Sequence, residues 1–288
     1  VISELLVQQL PNKAGSGEVD RSGRPKMISG STKTFYMIAH PIHHVRTPEI
    51  INPVFEARGI DAIMVPVHFT PEDFKTGWEA IRRTQNLGGI VVSVPFKELA
   101  YELSDEVDEM ARPLGAVNVV RRTGAGKMVA TNLDGDGFLG GMLNGGHDAK
   151  GRKTLVIGAG GAGKAISFAL AGSGCASLRI TDVNGDRAAA LVDDISRRYG
   201  DLDVAVSGNA LSDADLVVNA TPCGLHPETD PLPLDTDLLR PGMIVADIVM
   251  KPRETPLLKA AVSAGCDVRY GAGMLDAQID LMISYFGL

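Results

Sequence analysis

Lys97 follows the apolar run GIVVSVP, and Asp134 follows KMVATNL. A lysine and an aspartate at one edge of a sheet can form an acid/base pair that moves a hydroxyl proton. Two more features belong to that edge. Asn118 interrupts the apolar strand AVNVV, and the loop 40–48, HPIHHVRTP, follows the apolar run TFYMIA. Ligands of open α/β sheets gather beyond the carboxyl ends of strands, which is where all four features fall. Each also has a plainer reading, Lys97 as a solvated helix start and Asp134 as an N-cap. Spacing alone leaves that choice open.

Three of the six histidines, His40, His43 and His44, lie close together in the same loop. They could bind a metal, form a catalytic cluster, or shape a pocket. No cysteine or acid joins them at ligand spacing, so no metal is expected.

Gly158, Gly160 and Gly163 fit G-x-G-x-x-G, with Gly161 between them. The motif follows the strand TLVI and opens the helix KAISFALAG. In that context glycines allow a tight turn and let backbone N–H groups meet a pyrophosphate at a helix N-terminus. Asp182 ends the next strand, placed to accept a hydrogen bond from a ribose 2′-hydroxyl. Its alternative is to cap the following helix. A carboxylate there would repel a 2′-phosphate, so NAD is expected over NADP; Arg187 falls later, on the helix.

The elements that must position these groups alternate. Strands are expected at 34–39, 61–67 and 89–95, and helices after Thr47 and within 71–88. Thr47 is the expected cap and Pro48 the first helical residue. Pro53 either kinks that helix or moves its start to Asn52. AVNVVRR and KMVATNL read as a hairpin around TGAG. The second half repeats strand and helix, with a helix from Asn184 to Gly200 and buried strands DLVVNA and MIVADIV. The closing segment puts Met274, Leu281, Met282 and Tyr285 on one helical face together with Gln278, an amide that needs a partner there. This pattern predicts an α/β chain of two domains. The expected division is an extension at 1–26, a substrate-binding catalytic domain at 27–135 completed by a C-terminal helix at 273–288, and a Rossmann-type doubly wound domain at 136–272.

The totals agree with a globular chain. Hydrophobic residues make up 44% and charged ones 22% of 288 residues. A net charge of −7 argues against nucleic acid as main partner. No apolar run reaches membrane-helix length. Three widely spaced cysteines read as reduced thiols, and a cytoplasmic location is expected. The expected state is a monomer or homodimer.

PIHHVRTP, VSVPFKE, GAVNVV, TNLDGDG, GAGGAGKAI, NATPCGL, KPRETPLLKAA and GMLDAQ occur in the order of the shikimate dehydrogenase family, which the chain resembles over about 34–288. The resemblance implies oxidation of a secondary alcohol on a cyclic hydroxy acid, shikimate or quinate, or the reverse reduction. It implies an active site in the cleft between the two domains and places the catalytic lysine on Lys97 and its acid on Asp134. Substrate contacts fall on Ser93, Asn118 and Gln278, and further cofactor contacts on Asn219, Thr221 and Gly271. Two positions that bind the substrate carboxylate as serines in the family are Val45 and Thr47 here, and Met250 replaces a tyrosine. The histidine loop thereby reads as pocket-shaping. Alternatives are a related cyclitol or aminated ring acid as substrate, or a non-catalytic metabolite sensor.

Overall fold

The computed structural model describes residues 28–43, 45–207 and 213–288. The expected extension at 1–26 and His44 lie outside the described residues.

The first sheet is built from β1 (Lys33–Ala39), β2 (Ala62–His68), β3 (Leu87–Val92), β4 (Glu106–Val107), β5 (Val119–Arg122) and β6 (Met128–Thr131), in the order β2-β1-β3-β5-β6-β4. β1 runs parallel to β2 and β3, while β5 pairs antiparallel with β3 and β6. The expected hairpin is therefore present. α1 (Thr47–Ala57), α2 (Phe74–Arg82) and α3 (Lys97–Leu103) follow β1, β2 and β3. Fully buried Phe74, Trp78 and Phe96 pack against one face of this sheet.

α4 (Asp134–Asn144) leads into the second sheet. Its strands are β7 (Lys153–Ile157), β8 (Ser177–Thr181), β9 (Asp203–Val206), β10 (Leu216–Asn219), β11 (Ile244–Asp247) and β12 (Asp267–Arg269). All pair in parallel, in the order β12-β11-β10-β7-β8-β9. That is the doubly wound order, with its switch between β7 and β10. α5 (Gly161–Gly172), α6 (Gly185–Arg198) and α7 (Pro256–Ser263) cover the sheet. The two-domain α/β class expected from the sequence is thus present. The expected division at 135 falls in the first turn of α4.

α8 (Gly271–Phe286) returns to the first sheet. Its buried face is Leu275, Gln278, Ile279, Met282 and Ile283, packed with Phe35, Ile51, Phe55 and Val91. Leu281, expected on that face, is 36% exposed. A period of 3.6 places Leu281 about 100° from Met282, and the buried stripe follows Met282. α8 also crosses α4 at glycines: a Cβ on Gly141 would lie 2.8 Å from the Gly273 carbonyl carbon.

Two local expectations are corrected. α1 runs through Pro53 from Thr47, and Asn52 is no cap; its side chain donates to Met64 O and accepts from Met64 N, both at 2.8 Å. Thr47 is the first helical residue and not the cap: Arg46 stands at the cap position, with no side-chain cap bond. α6 starts beside Asn184 as expected, and Asn184 Oδ1 caps it by accepting from Asp186 N and Arg187 N.

Candidate active site

Lys97 and Asp134 are each the first residue of a helix, α3 and α4. Both helices begin directly beyond strand ends, so their first side chains meet. Lys97 Nζ donates to Asp134 Oδ2, with side chains 15% and 6% exposed. The opposite carboxylate oxygen, Oδ1, accepts Asn118 Nδ2 at 2.8 Å and Gln278 Nε2 at 3.2 Å. Three donors on one buried carboxylate fix its orientation, and a helix N-terminus favours the negative charge.

The backbone holds this group from behind. Asn118 Oδ1 accepts Leu133 N at 2.8 Å, while Asn132 Oδ1 accepts Asp134 N at 3.0 Å and Asn132 Nδ2 donates to Ala116 O. Asn132 was not singled out from the sequence. Gln278 reaches Asp134 because position 137 is glycine; a Cβ there would overlap Gln278 Cγ. The amide on the buried face of α8 thus finds its partner in Asp134.

The other expected substrate positions lie on α1, after β3 and in one apolar cluster. Thr47 is buried and Ser93 half-buried, and neither hydroxyl bonds to another described residue. Val45 and Met250 pack with Val91, Leu133 and Leu275 in one apolar cluster. The histidine loop contributes a different pair: His40 Nδ1 lies 3.0 Å from His68 Nε2, the rings stacked. No group of three or more metal-ligating side chains occurs among the described residues.

At the second sheet, the glycine motif sits at the switch between β7 and β10. Gly158 has φ +106°, and a Cβ on it would lie 2.9 Å from Ala220 O. A Cβ on Gly163 would overlap Gly158 O, so α5 can approach the turn only with glycine there. A Cβ on Gly160 or Gly161 would meet nothing within 4 Å. That open space faces the first N–H groups of α5 and suits a pyrophosphate. Leu114 and Ala116 line a cavity of about 370 Å³ with Gly160, Gly161, Lys164 and Arg187.

Asn219 ends β10. Its Oδ1 accepts Thr221 N at 3.1 Å and Thr221 Oγ1 at 2.6 Å, and its Nδ2 donates to Cys223 O. Gly271 opens α8, where a Cβ would lie 2.5 Å from Ile248 O. Sequence reading passed over Asp247 at the end of β11, although it interrupts MIVADIV just as Asn118 interrupts AVNVV. It accepts Val249 N at 2.9 Å and Thr255 Oγ1 at 2.7 Å. Burial pushes its carboxyl above the usual range, against those hydrogen bonds and one from Asn219.

A doubly wound nucleotide sheet joined to a buried Lys–Asp pair defines a dinucleotide-dependent oxidoreductase. Residues 37–120 match the shikimate dehydrogenase substrate binding domain, and residues 143–225 match shikimate / quinate 5-dehydrogenase. The chain belongs to the shikimate dehydrogenase family. It is 36% identical over 258 residues to a shikimate dehydrogenase (NADP(+)) of Methanopyrus kandleri, covering 86% of this chain and 88% of that protein. A crystal structure of a shikimate dehydrogenase in complex with NADP+ superposes with a TM-score of 0.85 at 28% identity, covering 92% of this chain and 93% of the other. The Listeria monocytogenes shikimate 5-dehydrogenase in complex with shikimate and NAD gives 0.83 at 29%, covering 91% and 94%.

These relatives correct the expected cofactor. The curated ones carry NADP(+) in their names, which overturns the preference for NAD. The structure also shows how Asp182 is held. Asp182 was assumed to present a free carboxylate, but Oδ2 accepts Ala159 N at 2.7 Å and Oδ1 accepts Asn184 N at 2.8 Å. Both oxygens hold the turn together, and the neighbouring cavity is lined by Arg187, by Glu98 and by Lys164, which pairs with Asp194 at 3.4 Å.

Among the described residues, no helix is long and apolar enough to cross a membrane.

Proposed function

We propose that this chain interconverts shikimate and its ring ketone with NADP(H), using Lys97 and Asp134 as the acid/base pair. The observation that carries the reading is the buried contact between Lys97 Nζ and Asp134 Oδ2, with Asn118 and Gln278 on the other carboxylate oxygen. The nicotinamide cofactor supplies hydride transfer when bound. In the oxidation direction neutral Lys97 takes the hydroxyl proton and Asp134 stabilises the resulting ammonium. In reduction the same ammonium returns the proton to the carbonyl oxygen.

Gly158, Gly160, Gly161 and Gly163 hold the pyrophosphate, Arg187 balances the 2′-phosphate, and the turn at Asn219 and Thr221, with Gly271, shapes the nicotinamide side. Thr47, Ser93, Asn118 and Gln278 read substrate hydroxyls, and Val45 and Met250 form the wall beside them. Residues 27–135 with 273–288 form the substrate-binding unit and 136–272 the nucleotide unit. The names of the relatives support shikimate and NADP. NADPH formation from shikimate, measured for the wild type and for Lys97→Ala, tests the reading; no shikimate-dependent NADPH formation by the wild type overturns it.

A further inference from the structure

A second buried carboxylate, outside the Lys–Asp pair, holds both ends of a segment that reaches toward that pair. Asp247 ends β11 beside Asn219, its register partner at the end of β10, and both are buried. Asp247 Oδ1 accepts Val249 N at 2.9 Å and Oδ2 accepts Thr255 Oγ1 at 2.7 Å, so one side chain closes the segment 248–254 at its start and just past its end. Thr255, fully buried, also caps α7 by accepting Leu258 N at 3.3 Å. Ile248 N donates to Asn219 O at 3.1 Å, but residues 250–254 make no backbone hydrogen bond to described residues. The Arg253 guanidinium lies over the Tyr270 ring, 4.7 Å from its centroid.

The segment borders both halves of the site. A Cβ on Gly271, at the start of α8, would lie 2.5 Å from Ile248 O and 2.7 Å from Val249 O. Met250 packs with Leu133, which precedes Asp134, and with Leu275, one turn before Gln278. On the cofactor side, Asn219 donates to Cys223 O at 3.1 Å, accepts Thr221 N at 3.1 Å, and donates to Asp247. A buried carboxylate that takes three donors from three segments fixes them relative to one another. Misplacing reacting groups by about 1 Å can cost on the order of 10²-fold in rate. Resting on the oxidoreductase reading above, we propose that Asp247 is a positioning residue for hydride transfer, tying the nicotinamide-side turn at Asn219 to the substrate wall at Met250. It acts through Asn219, Val249 and Thr255, and sets how closely the cofactor and the substrate ring approach.

Three variants test this. Thr255→Val keeps the volume but removes the hydroxyl that closes the segment, Thr255→Ser keeps the hydroxyl, and Asp247→Ala removes the carboxylate. With shikimate and NADP, Thr255→Val and Asp247→Ala are expected to lower kcat about tenfold or more, with both KM values within about threefold of wild type. Shikimate deuterated at the reacting carbon should then show a larger isotope effect on kcat than in the wild type, because hydride transfer limits turnover. Thr255→Ser should keep the wild-type kcat. In the cofactor-free chain, amide hydrogen exchange is expected to quicken at 248–258 in the first two variants and to stay unchanged in the first sheet. If one of those two fails to fold, the other decides. A wild-type kcat and isotope effect in a folded variant, or a loss carried by KM instead, overturns the inference and leaves the function proposed above standing. Exchange that quickens throughout the chain, or loss of folding in both variants, assigns Asp247 to stability alone and overturns it as well. A wild type inert toward shikimate overturns both.

Discussion

Asn118 ties Asp134 to its own backbone: Nδ2 donates to Asp134 Oδ1 at 2.8 Å while Oδ1 accepts Leu133 N at the same distance. One buried amide thus sets both the start of α4 and the direction of the carboxylate that faces Lys97. Asn118→Ala leaves a buried N–H and one carboxylate oxygen short of a partner. It is expected to cost about 1–3 kcal/mol of stability, read by urea unfolding, and to lower kcat more than it raises KM.

Removing the proton carrier has a larger effect. Lys97→Ala is expected to lower kcat by roughly 10²–10⁴-fold with a much smaller change in KM. Asp134→Asn should behave similarly, because an amide does not favour the ammonium form of Lys97. Each side chain begins a helix, so both variants should keep the far-UV circular dichroism of the wild type. Near-normal turnover by Lys97→Ala would remove it from the chemistry.

Arg187 is expected to decide between the two nicotinamide cofactors. Of the charged side chains lining the cavity, Lys164 pairs with Asp194 at 3.4 Å, which leaves Arg187 as the cation to meet a 2′-phosphate. Arg187→Ala should lower kcat/KM for NADP by roughly tenfold or more and change that for NAD little. Steady-state kinetics with both cofactors reads this directly. An equal loss with both would place Arg187 in folding or in general cofactor binding.

Gly163→Ala tests the close approach of α5 to the glycine turn. The added methyl would overlap Gly158 O, so the turn must move before a pyrophosphate can bind. Weaker NADP binding by calorimetry is expected even where thermal unfolding is little changed. Gly160→Ala, with nothing within 4 Å of the new carbon, should fold normally and lose affinity only through contact with the cofactor.

Tyr285 gives a pH signature at the alkaline end. Burial is the largest cause pushing its phenol up to about 12, and its hydroxyl donates to Val129 O at 3.1 Å. The folded pKa lies above the unfolded value near 10, so the contribution is full below about pH 10 and is lost as pH rises through about 12. The stability difference between wild type and Tyr285→Phe should therefore shrink across that window. A pH-independent difference in urea unfolding would contradict it.

Much of the chain was legible in one dimension because the deciding signals are local. Glycine spacing after an apolar strand marked the nucleotide turn at Gly158–Gly163, since φ and close backbone approach are properties of a few residues. Polar residues interrupting or ending apolar runs marked Asn118, Lys97 and Asp134. Alternating strand and helix patterns gave the α/β class, and ordered motifs gave the family. Asp182 and Leu281 were misjudged for a shared reason. Whether a carboxylate is free or held by Ala159 N, and which side of α8 faces the first sheet, depends on neighbours distant in sequence. Tertiary structure alone decided that Lys97, Asn118 and Gln278 converge on one carboxylate, because their donors come from α3, the start of β5 and α8 and meet only when α8 crosses α4 at glycines. It also decided that the wall at Val45 and Met250 is continuous, because hydrocarbon from remote segments is driven into one cluster by exclusion from water.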